Sequence, residues 1–114
     1  EKPLAITWQQ LDQVREALEA QPDGPRLMVG FNRRFSPAVQ KLRERLAGRT
    51  APIVADYRLN AGYIALDHWV HGPEGGGRNI GEACHVYDVF DALTGAGVKD
   101  VKAMAITPSG RLAA

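Results

Sequence analysis

Glu82, His85 and Asp88 recur at three-residue intervals in a stretch that reads as helix, which puts them on one ridge about a turn apart. A carboxylate one turn from an imidazole holds the ring in one tautomer and raises its basicity, as a histidine that moves protons near neutral pH requires. The same spacing also describes a solvent-facing stripe with an incidental histidine. Upstream, His68, His71 and Glu74 join Glu82 and His85 in supplying the residue types of a zinc site. Neither the gap between His68 and His71 nor their loop setting matches the helical histidine pair of a metalloprotease, so no bound metal is expected.

Gly75-Gly76-Gly77 stands just before the same helix and has the backbone freedom to cradle an anion. No buried strand precedes these glycines, as a dinucleotide fingerprint requires, so they read as a sharp turn with close backbone approach. Arg33 and Arg34 lie between an expected strand and a helix, where they suit a carboxylate or phosphate, or else solvent or structural pairing. Trp8 and Trp69 read as packing residues.

The elements that must hold these groups follow from periodicity and punctuation. Thr7 with Gln10 forms a capping-box pattern, and Leu11, Val14 and Leu18 recur at helical spacing, predicting a helix over residues 8–20 that Pro22, Gly24 and Pro25 end. Residues 27–30 form a short apolar run, predicted as a buried strand leading to Phe31. Ser36 and Pro37 suit the start of a second helix, with Val39, Leu42 and Leu46 facing inward and Gly48 as its stop. Alternation over residues 53–60 predicts a strand with Ile53, Ala55, Tyr57 and Leu59 on its packing face. Residues 61–79 lack periodicity and read as a long functional loop. A last helix carries Ile80, Ala83, Val86, Phe90 and Leu93 and ends at Gly95 and Gly97. Residues 98–106 are predicted as a final strand, with no further element after Pro108. About three strands and three helices give an expected α/β (α+β) class, a truncated open sheet, mixed or mainly antiparallel, with helices on one face.

The 114 residues suit one domain, with 45% hydrophobic and 24% charged residues as in ordinary globular chains. Fourteen Lys and Arg against thirteen Asp and Glu leave a net charge of +1, too little for a phosphate-tracking surface, so nucleic acid is not an expected partner. The apolar runs are far shorter than the roughly 20 residues of a membrane span, and no secretory signal opens the chain. Cys84 is the single cysteine, reads as a buried apolar thiol, and fits a cytoplasmic setting. The opening Glu1-Lys2-Pro3 reads as a cut inside a longer protein.

The runs EKPLA, GFNRRFSP and NAGYIALDHWVHGPEGGGRNIGEACHVYDVFDALTG, in that order, resemble the glucose-fructose oxidoreductase, inositol dehydrogenase and rhizopine-catabolism (Gfo/Idh/MocA) family. The third is especially similar to the bi-domain oxidoreductases, members fused to an alcohol-dehydrogenase-like region. The resemblance spans most of residues 1–97. It implies a Rossmann domain for NAD or NADP, of which residues 1–7 would be the tail, and a C-terminal substrate and oligomerisation domain, of which residues 8–114 would be part. It assigns Lys2 a place beside nicotinamide and substrate, and His85 the acid-base role toward a sugar hydroxyl. Many members carry an Asp four residues before that histidine; here the position is Gly81, so Glu82 or Asp88 takes the orienting place. Arg33, Tyr57, Arg58, Asn60, His68 and Asp88 are the implied substrate contacts. The implied activity is NAD(P)-dependent oxidation of a sugar-like or cyclic polyol alcohol by the parent protein. This chain alone is expected to be inactive, to bind no cofactor by itself, and to form a homo-oligomer through its sheet. A non-catalytic binding or oligomerisation module is the alternative.

Overall fold

The structure, a computed structural model, describes residues 1–105. Four helices carry it: α1 (Trp8–Glu19), α2 (Pro37–Leu46), α3 (Gly77–Gly81) and α4 (Cys84–Thr94), with 3-10 turns at Asn32–Phe35 and Trp69–His71.

The helix ends follow from local chemistry. Thr7 caps α1 by accepting from the Gln10 amide at 3.2 Å, while the Gln10 side chain reaches back to the Ile6 amide at 2.9 Å. This is a capping box displaced by one residue. Ser36 caps α2 through the Val39 amide at 3.4 Å, with Pro37 preset for the first turn. Gly48 and Gly95 take left-handed backbone at φ 75° and 63° just beyond α2 and α4, where a Cβ is penalised. The last helix is not continuous: α3 begins three residues before Ile80 and stops at Gly81, and α4 starts at Cys84.

Among the described residues no strand forms, so the expected α/β sheet is not present. The three segments read as strands, 27–30, 53–60 and 98–105, form no ladder with one another; Ile106, the last residue of the third, lies outside the described residues. The amide of Gly30 reaches only the Glu1 carbonyl, at 3.5 Å, and the chain then folds through an inverse γ-turn at Phe31, whose neighbour Asn32 donates to the Gly30 carbonyl at 2.9 Å. Apolar alternation specifies a strand only when a neighbour supplies hydrogen-bond partners, and these segments have none. Their side chains show the same lack of cover: Val54, Val98 and Met104 are 101%, 80% and 100% exposed. The alternation over 53–60 survives in weak form, with Ile53, Tyr57 and Leu59 far better covered than Val54.

The packed centre is small. The 3-10 turn Asn32–Phe35 and α2 lie against α4, and the only buried apolar side chain among the described residues is Val89 of α4. The radius of gyration is 17.4 Å, where a compact chain of this length has about 13 Å. No helix among the described residues is long and apolar enough to cross a membrane.

Candidate functional site

His85 lies one turn before Val89 on the inward face of α4 and is itself buried. Phe31, turned inward by its γ-turn, meets the imidazole edge-on with ring centroids 6.1 Å apart. The ring Nδ1 is buried with no hydrogen-bond partner. Burial pushes the His85 pKa below its ordinary value, and the nearby charges of Lys2 and Arg33 push the same way against Glu82 and Asp88. Burial and these two cations thus favour the uncharged ring.

Lys2 crosses from the start of the chain to donate from Nζ to the Gly81 carbonyl and, at 3.2 Å, to Glu82 Oε1. Arg33 approaches the other oxygen of the same carboxylate at 3.8 Å and donates to the Tyr57 hydroxyl at 2.9 Å. The Lys2 hydrogen bond holds the Glu82 carboxyl below its usual range. Lys2, Glu82 and His85, expected to share the chemistry, thus come together, with Arg33 and Tyr57 beside them. Asn60 joins through a cleft of about 380 Å³ walled by Leu59, Asn60, Gly62, Arg78, Glu82 and Ala83.

Other expected contacts lie elsewhere. Asp88 does not orient His85. Its carboxylate is taken by Arg34, whose Nε donates to both oxygens at 2.9 and 3.0 Å and whose Nη2 reaches Asp91 at 3.1 Å. The Asp88 hydrogen bond raises the Arg34 pKa further. Of the two neighbouring arginines, Arg34 is thus structural and Arg33 belongs to the site. The helix break also takes Glu82 off α4, so the expected single ridge of Glu82, His85 and Asp88 does not exist. Arg58 pairs with Asp56 at 3.0 Å in the open. His68 accepts the Val70 amide at 3.3 Å and lies beside Trp69, which gives it a turn-capping task. Cys84 is half-buried, its Sγ 3.6 Å from the Gly81 carbonyl. No three His, Cys, Asp or Glu side chains gather around a common point among the described residues.

Arg78 was not expected at the site. It follows the three glycines, donates to the Gly62 carbonyl at 2.8 Å and lines the cleft. The signal available in sequence was a cation placed directly after a glycine turn.

Two of the three glycines face the chain itself. A Cβ on Gly75 would sit 2.4 Å from the Val70 carbonyl oxygen, and one on Gly76 would meet Ile6 at 3.2 Å. The chain itself fills the space that these two residues leave, and no strand leads into them.

No family model, curated protein or solved structure matches this chain.

Proposed function

We propose that this chain is the substrate-side part of an NAD(P)-dependent oxidoreductase acting on a sugar-like or cyclic polyol alcohol, the resemblance to the Gfo/Idh/MocA family supplying the reaction class. The observation that carries the reading is the meeting of Lys2 with Glu82 beside His85, across 80 positions of sequence. A nicotinamide held by a nucleotide-binding lobe of the parent protein would supply the hydride acceptor. The chain's own residues handle the proton. Neutral His85 accepts it from the substrate hydroxyl at a ring nitrogen, and Glu82 favours the imidazolium that results. Lys2 fixes Glu82 and tempers that stabilisation, so the proton is released again. The unpartnered Nδ1 is in keeping with this role, since a buried nitrogen left unpaired costs about 1–3 kcal/mol that a hydroxyl admitted by local opening would recover.

The test is turnover by the full polypeptide that joins this chain to its nucleotide-binding lobe. His85→Ala should lower kcat by roughly 10²–10⁴-fold without changing Tm; unchanged turnover would remove the role assigned to the imidazole. One observation favours the second reading, a non-catalytic binding module: His85 is only 7% exposed. Ligand binding without turnover in the joined protein would decide for it. Self-association is part of both readings. With no sheet among the described residues, the exposed side chains of Val54, Val98, Val101 and Met104 supply the apolar area for it. Light scattering at low micromolar concentration should show at least a dimer, and a stable monomer there would refute this.

A further inference from the structure

The cleft beside Glu82 is richer in positive charge than its one carboxylate balances. Lys2 and Arg33, which stand behind the wall rather than on it, approach that carboxylate at 3.2 and 3.8 Å, and Arg78 on the wall donates to the neutral Gly62 carbonyl. Two cationic side chains thus share one anion, and the third, Arg78, has no carboxylate partner among the described residues. With Glu82 already engaged from behind by two cations, the charges around this concave wall sum to a positive value that favours an anion, and a guanidinium presents a fork that fits carboxylate or phosphate oxygens. The cleft volume, about 380 Å³, lies within the roughly 300–1,000 Å³ of small-molecule sites. Asn60 on the same wall adds a side-chain amide for hydroxyl groups.

We propose that the cleft takes an anionic polyol, a sugar acid or sugar phosphate, whose charged oxygens meet Arg78 while its hydroxyls face Asn60 and Glu82. The proposal rests on the reading of this cleft as the substrate side of the site, and it names the substrate class. Lys2 and Arg33 contribute through their field, having already engaged Glu82. Neutral polyols of the same shape lack the group that balances the wall.

Titration calorimetry of the chain with D-glucose, D-glucuronate and D-glucose 6-phosphate at low salt tests this without cofactor or turnover. At least one anion should bind about tenfold or more tighter than glucose, the value of one added charge-assisted contact of about 1.4 kcal/mol. Raising the salt from about 20 to about 500 mM should shrink the difference as screening lengths fall. Preference for glucuronate identifies a carboxylate, preference for the 6-phosphate a phosphate. Arg78→Gln should bring the anions within about threefold of glucose, and Glu82→Gln, which removes the opposing charge, should tighten them further. Equal affinity for all three sugars, binding of none, an anionic advantage that survives Arg78→Gln, or weaker anion binding in Glu82→Gln would each overturn the proposal. Anion preference in a protein that never oxidises a polyol would leave this inference standing and remove the oxidoreductase reading; turnover confined to neutral polyols would do the reverse.

Discussion

Arg34→Ala should destabilise the chain by about 3 kcal/mol, more than any other single surface-arginine truncation. The expectation comes from what the guanidinium leaves behind. The Asp88 side chain is only 7% exposed and receives the Arg34 Nε on both oxygens, at 2.9 and 3.0 Å. Without Arg34 that carboxylate stays inside with no cation. Breaking a fully buried pair costs about 3–5 kcal/mol, and the one-third exposure of Arg34 places this case at the lower end of that range. Asp91 serves as the control: it also holds Arg34, at 3.1 Å, yet is 63% exposed, so Asp91→Ala should cost no more than about 1 kcal/mol. Arg34→Lys keeps the charge and loses the fork, and should fall between the two. Urea denaturation followed by far-UV circular dichroism, with slopes compared across variants, reads all three differences. Equal midpoints for Arg34→Ala and Asp91→Ala would refute the claim that burial of Asp88 sets the scale.

The pH dependence has a definite sign. His85 has a folded pKa below its ordinary 6.5, so the unfolded chain binds more protons in the window beneath that value and stability falls as the pH drops through it. Glu82, also lowered, adds a second decline below 4.5. Urea midpoints measured from pH 8 to 4 should show both, and His85→Leu should erase the upper one; stability that rises on acidification would contradict the assignment. Gly75→Ala forces a methyl group to within 2.4 Å of a backbone oxygen, so it should cost at least 1–3 kcal/mol and speed exchange of the Gly76 amide, which bonds to Gly72 at 3.1 Å. Hydrogen exchange unchanged at that amide would show that the loop yields instead.

What was legible in the sequence was what neighbours along the chain decide. Thr7, Ser36, Pro37, Gly48 and Gly95 mark helix ends because caps and left-handed stops involve residues a few positions apart. The three expected strands failed for the opposite reason. Alternation at 53–60 describes a surface that would suit pairing, but the partner is a matter of the whole fold, and Val54 stands fully exposed where a ladder would have given it a neighbour. The site divides in the same way. Glu82 and His85 were visible as a spaced pair, whereas Lys2 entered only through a family resemblance, since no periodicity links it to residues 80 positions away. The Arg34–Asp88 clamp left no local trace, and so Asp88 stood with Glu82 as an alternative partner for His85.

The interruption at Glu82 and Ala83 separates two tasks that an unbroken helix would have joined. The imidazole is fixed by α4, through Phe31 and the packing around Val89, while the carboxylate ends a short segment secured from the other side by Arg78 and the glycine turn. Substitutions in residues 61–76 therefore act first on the Glu82 segment and reach His85 only through the one backbone bond, 3.1 Å, from the His85 amide to the Glu82 carbonyl. The carboxylate can therefore shift with its loop while the packing around Val89 stays in place.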